Sequence, residues 1–399
     1  MLNYLKEHKL LFILSLIYIL SVIFIKPYNA INNITFPVND EWYYALPIIN
    51  FLDFKKIIIA EGMAAWSIPQ ILIGYFFSEL FGFSFFKLRL IIIFFSILNI
   101  FLIYHYLTRY LKFEKLKTII LLSIFIFFPG IYLSGITFMS ETIFFTLFIL
   151  SLIFFENYKL KQSNLNLIIL NLVIIFLFLQ RQIGVFYVVY LFYIFFFQNK
   201  NFPFKKKKIL FTAIIQIIIF LFVYIFINHY IGQTNPYSLN SINYKNIFFM
   251  IYNIPQIFLY MGFLLTPYLF FVDTKKISFK NNKIFYYFLS ILLIFAVIIL
   301  YYKFDKYMPY FDNVFSKYGT FRLNEALPGE RNLFFIKEVY YLFTIICLFS
   351  FLNFLFLVSK NKFQTLFKLT YEPLYFISFI ILIFSLLMFK NFNDRYIYI

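Results

Sequence analysis

Long apolar runs, separated by short lysine-rich or acid-and-aromatic stretches, set the pattern of this chain. Eleven such runs stand out, at about 9–25, 88–107, 116–134, 138–155, 165–180, 183–198, 208–230, 246–272, 284–302, 335–357 and 371–389. Each is apolar on every side and none alternates with a period of two, so each predicts a helix rather than a barrel strand. Their lengths suit a crossing of roughly 30 Å of hydrocarbon. Between the first two runs lies a long segment, 26–87, that contains two semi-apolar stretches, 42–54 and 67–81, punctuated by Gly62 and Pro69. These predict short helices lying at the membrane surface. A second long segment, 303–334, carries the breakers Pro309, Gly319, Pro328 and Gly329. The expected architecture is an all-α polytopic membrane protein of about 11 transmembrane helices. It is expected to form a single domain over residues 1–399, without repeats and without a soluble C-terminal domain.

Composition sharpens this. Of 399 residues, 63% are hydrophobic and only 13% charged, where soluble domains run at about 25% charged. A net charge of +18 would suit nucleic acid, but the lysines cluster at the ends of apolar runs, where they act as topology signals. With the N-terminus in the cytoplasm, the cytoplasmic loops hold Arg109, Lys112, Lys115 and Lys117; Lys159 and Lys161; Lys200 and Lys205 to Lys208; Lys275, Lys276, Lys280 and Lys283; and Lys360, Lys362 and Lys368. The opposite loops are neutral or mixed, and 303–334 carries five basic and four acidic residues. The first apolar run lacks a good small-x-small cleavage site and predicts an uncleaved anchor. Membrane lipids are the expected surroundings, and nucleic acid is not an expected partner.

Acids are scarce, and most fall on the outward side, so charged groups there become the candidates for chemistry. Asp40 and Glu41 stand together in "NDEWYY", followed by Trp42 and Tyr43. They read either as the acidic start of a surface helix, with Asn39 or Asp40 as cap, or as carboxylates in an external cavity walled by aromatics. Glu141 in "SGITFMSETIFF" enters an apolar helix one turn in. It reads as a dipole-favoured acid after a Thr137 or Ser140 cap, or as a second carboxylate of the same cavity. Arg181 in "LQRQIG", flanked by Gln180 and Gln182, lies in a connection too short to be a free loop. It reads as a snorkelling arginine or as an anion site, since its planar fork suits phosphate. Arg395 in "NDRYIYI" is a helix end or a second phosphate contact. Three scattered histidines and one cysteine give no metal-ligand spacing, so no cofactor is expected and no metal is indicated, with a divalent metal left open. Phosphate-loop, dinucleotide and hydrolase-elbow motifs do not occur. An outward-facing enzyme does not meet cytosolic nucleotides, so its donor would have to arrive in the lipid.

These stretches together resemble the integral-membrane glycosyltransferases of the GT-C fold. The nearer branch comprises protein O-mannosyltransferases, lipid A aminoarabinose transferases and transferases that modify lipopolysaccharide cores. The resemblance is carried by "NDEWYYALPIINFL", "LFGFSFFKLRLIIIFFSILNIFLIYHYL", "YLSGITFMSETIFFTLFIL", "LQRQIGV" and "DRYIY", over about residues 10–185 and again at 393–397. A histidine-proline-proline element of many relatives is replaced by "AAWSIPQIL". The resemblance implies a bacterial inner-membrane enzyme that moves a sugar, with inversion, from a polyprenyl-phosphate donor to a lipid-linked glycan or protein acceptor at the outer face. It implies that Asp40, Glu41 and Glu141 are catalytic, that Arg181 and Arg395 bind the donor phosphate, and that Trp42, Tyr43 and Gln182 line the cavity. A flippase for lipid-linked saccharide and a polysaccharide polymerase or ligase are the competing expectations.

Overall fold

The computed structural model describes residues 9–24, 41–59, 63, 65–127, 129–197, 206–227, 229, 315–316 and 319–320. The chain divides into two compact units, and all described helices belong to the first, which takes in residues 1–238 and 376–381. In chain order these helices are α1 (Lys9–Phe24), α2 (Glu41–Phe54), α3 (Ile68–Phe81), α4 (Phe85–Arg109), α5 (Lys115–Ile126), α6 (Pro129–Ile136), α7 (Ser140–Lys161) and α8 (Asn164–Gln180). A 3₁₀ turn (Gln182–Val185) leads into α9 (Phe186–Phe197), and α10 (Lys206–Phe226) follows. The second unit contributes one short antiparallel pairing, Phe315 opposite Thr320 and Ser316 opposite Gly319.

The described part is therefore helical, as the apolar runs predict, and three helices are long and apolar enough to cross a membrane: α4, α7 and most of α10, from Lys207. The other apolar helices are shorter. The run expected at 116–134 is not one helix: α5 stops at Ile126, and α6 begins at Pro129, whose ring cannot continue the preceding helix. The run expected from 183 opens as the 3₁₀ turn before α9. The four runs expected from 246 onward lie outside the described residues.

Local chemistry explains several ends. Ser84 caps α4 by accepting a hydrogen bond from the Lys87 amide at 3.2 Å. Pro69 stands in the first turn of α3, where its missing N–H has no helical partner to lose. Helix α7 is the centre, with 61% of its apolar window enclosed against 33% for α4 and 22% for α10. It runs parallel to α4: Asn99 Nδ2 donates to the Thr142 carbonyl at 3.1 Å near one end. Tyr110 OH donates to Asn157 Oδ1 at 2.8 Å near the other. It is antiparallel to α8, across the two-residue connection Gln162–Ser163. Helices α2 and α3 pack on each other, with the Phe51 and Tyr75 rings 4.2 Å apart and Gly74 leaving room for Ile48.

Candidate functional site

The starts of α2, α3, α4 and α7 and the finish of α8 meet at one end of this bundle. Burying polar groups there is costly unless each finds a partner, and most do. Glu41, the first residue of α2, is fully enclosed, and Arg89, one turn into α4, is 1% exposed. Arg89 Nε donates to Glu41 Oε1 at 2.9 Å and Nη2 donates to Oε2 at 2.6 Å. The Phe138 amide, in the turn before α7, also donates to Oε1, at 2.6 Å. This two-pronged pair ties α2, α4 and the entry to α7 into one block.

A second network sits beside it. Gln180 Nε2 donates to Gln70 Oε1 at 2.9 Å and to the Ser140 carbonyl at 3.1 Å. Gln180 Oε1 accepts from the Gln70 amide at 3.2 Å, and the Gln180 carbonyl accepts from the Ser67 amide at 3.0 Å. Gln70 Nε2 donates to the Phe138 carbonyl at 3.3 Å. Ser140 Oγ and Tyr44 OH lie 3.2 Å apart. Ser67 reaches its place in a left-handed conformation, φ 49°, uncommon for a residue with a side chain. Its hydroxyl is buried without a hydrogen-bond partner. Beside it Trp66 is fully buried, 5.9 Å from Phe220 and 6.0 Å from Tyr224 on α10.

Glu141 and Arg181, 40 residues apart, come together in this layer. Each is 6% exposed, and Arg181 Nη1 lies 3.1 Å from Glu141 Oε1. The contact lacks hydrogen-bond geometry: both Glu141 oxygens and Arg181 Nη1 are buried with no hydrogen bond. Arg181 is held by its backbone, its amide donating to the Leu177 carbonyl at 3.0 Å and its carbonyl accepting from Gly184 at 2.8 Å. Gly184 is required because a Cβ there would meet the Leu177–Phe178 backbone at 2.8 Å. The N-cap position expected at Thr137 or Ser140 falls instead on Met139. Met139 caps without a side-chain bond, and the Ser140 hydroxyl turns to Tyr44.

Of the other predicted site residues, Trp42 and Tyr43 are 45% and 43% exposed on α2. The Trp42 ring lies 6.2 Å from Phe85. Gln182 is part-exposed in the 3₁₀ turn. Asp40 and Arg395 lie outside the described residues. Among the described residues no group of three His, Cys, Asp or Glu side chains gathers to hold a metal. Sequence reasoning did not single out Arg89, Gln70 or Ser67. The signal for Arg89 was present: an arginine inside "KLRLIII" at the start of an apolar run is costly unless it is paired. The chain matches no protein-family model, no curated protein and no solved structure.

Proposed function

We propose that this chain is a membrane glycosyltransferase that takes a sugar from a polyprenyl-phosphate donor and places it on a lipid-linked glycan or protein acceptor. The observation that carries this reading is the buried Glu141–Arg181 couple, whose carboxylate oxygens and guanidinium Nη1 have no hydrogen bonds of their own. A cation and a carboxylate in one enclosed site are what transfer from a phosphate leaving group needs. In the transfer, a carboxylate accepts the proton of the acceptor hydroxyl as its oxygen bonds to the anomeric carbon. The bond from that carbon to the phosphate oxygen breaks, and the electron pair leaves with the polyprenyl phosphate, whose charge a guanidinium holds. Arg181 is assigned to the phosphate. Asp40 is the base, and Glu141 orients the acceptor. Glu41 fixes the start of α2 through Arg89 and thereby the segment that Asp40 precedes.

Topology supports an outward site. Arg109, Lys159 and Lys161 lie at the far ends of α4 and α7 from Arg89 and Glu141. Arg89 and Arg109 are separated by about 30 Å of helix, close to the hydrocarbon thickness. The positive-inside rule puts the basic end in the cytoplasm and the polar layer at the outer face of a bacterial inner membrane.

The test is transfer from a radiolabelled polyprenyl-phosphate sugar in vesicles, with products read by glycolipid mass spectrometry. Asp40→Asn and Glu141→Gln are each expected to lower turnover at least a hundredfold in folded protein. Unchanged transfer by Asp40→Asn would remove it as the base. A donor that crosses the bilayer chemically intact would replace the reading by transport.

A further inference from the structure

The two buried acid–arginine pairs in the polar layer are built differently. Glu41 and Arg89 share two hydrogen bonds of 2.9 and 2.6 Å, and the Phe138 amide completes the carboxylate. Glu141 and Arg181 are also buried, though less completely, and meet through one 3.1 Å approach between charges, with Oε1, Oε2 and Nη1 left without hydrogen bonds. A buried carboxylate with no donor on either oxygen is a poor final partner for a guanidinium. The first pair is a strut, while the second is a contact that a better-shaped anion displaces.

Resting on the assignment of a lipid phosphate to Arg181, we infer that Glu141 is an internal stand-in for that phosphate. In the resting site its carboxylate neutralises Arg181. The phosphodiester of the donor brings two non-bridging oxygens to the guanidinium, takes over Nη1 and frees Glu141, whose two oxygens then face the acceptor hydroxyl; the sugar-free polyprenyl phosphate that leaves is the monoester of the same site. The exchange imposes an order: the donor binds first, and the acceptor-facing carboxylate becomes available only afterwards. It keeps Arg181 paired at every stage, while the released Glu141 carboxylate takes its hydrogen bond from the acceptor hydroxyl. Glu141, with no hydrogen bond on either oxygen, has no donor to give up when it moves aside.

The test uses the full chain in phosphatidylcholine nanodiscs, titrated with polyprenyl phosphate carrying no sugar, with phosphatidylglycerol in parallel. Glu141→Gln, which removes the competing charge at nearly constant shape, is expected to bind polyprenyl phosphate about tenfold more tightly than wild type, because the phosphate no longer has an anion to displace. Glu141→Asp, which keeps the charge and shortens its reach, is expected to fall between them. Infrared difference spectra should show a carboxylate band that shifts when polyprenyl phosphate is added to wild type and is missing in Glu141→Gln. Equal affinities with an unmoved band would overturn the exchange while leaving the glycosyltransferase reading standing. No binding of polyprenyl phosphate to either protein would overturn both. An equal response to phosphatidylglycerol would overturn the exchange, since bulk lipid would then already have displaced Glu141.

Discussion

Replacing Arg89 by methionine separates a structural role for Glu41 from a chemical one. The substitution preserves most of the apolar stem and removes both charge-assisted bonds, leaving the enclosed Glu41 carboxylate with the Phe138 amide as its remaining identified donor from this cluster. Stranding one partner of a buried pair costs about 3–5 kcal/mol. For a unit of this size each kcal/mol moves the midpoint by roughly 2–4 °C, so the apparent melting temperature should fall by about 6–20 °C. Glu41→Gln keeps an acceptor for Phe138 but leaves Arg89 unneutralised, and should cost about 3 kcal/mol. The double variant has no charge left in this pair and should recover to within about 2 kcal/mol of wild type, a coupling of about 3 kcal/mol or more in the mutant cycle. The assay is heating of purified protein in detergent, with the surviving folded fraction measured by fluorescence-detected size exclusion at a fixed heating rate. Additive losses in the cycle would refute the strut. A Glu41→Gln protein of wild-type stability but no transfer activity would refute it as well and return Glu41 to the reaction itself.

Two other substitutions probe the polar layer. Gly184→Ala places a methyl against the Leu177–Phe178 backbone, which cannot yield as a side chain would, and the strain passes to Arg181 through their 2.8 Å bond. Transfer should fall about tenfold or more with helical circular dichroism retained, and wild-type turnover would refute the link. Gln180→Leu deprives the Gln70 backbone amide and Gln70 Oε1 of their Gln180 partners, a loss of about 2–6 kcal/mol at roughly 1–3 kcal/mol for each orphaned group. Differential scanning fluorimetry reads it, with Gln180→Glu, which keeps the acceptor and loses the donors, expected between the two.

Helix existence was legible because apolar runs free of period-two alternation leave the backbone one way to satisfy itself in hydrocarbon. The starts of α2 and α8 fall within one residue of the predicted 42 and 165. The break between α5 and α6 was missed although Pro129 marks it, because the hydrophobic run continues unbroken through Phe127 and Phe128. At the site, the nomination of Glu141 and Arg181 needed only their cost in an apolar setting. Their meeting across 40 residues follows from the α7–α8 hairpin, which returns the end of one helix to the start of the other. The partner of Glu41 was harder to see. Arg89 lies 48 residues away on a helix that is not its sequence neighbour, and no spacing rule links the two. The glutamine network was illegible for the same reason, since Gln70 and Gln180 mean nothing until α3 is laid across the α7–α8 hairpin.

The chain has 17 acidic residues, and two of them, Glu41 and Glu141, stand in buried pairs with Arg89 and Arg181. Stability alone does not ask for that, because apolar side chains of similar volume would do as well or better. Glu41–Arg89 has a geometric use: it locks three helix starts in register with no bond left over. A second pair of the same composition would add little if it were locked too. Left unbonded, Glu141–Arg181 keeps a cation and an anion poised against each other inside a rigid frame that the first pair and the glutamines hold in place. The frame makes the looseness local. A ligand that separates the second pair need not disturb the first, so its binding energy goes to the exchange of charges rather than to repacking the bundle.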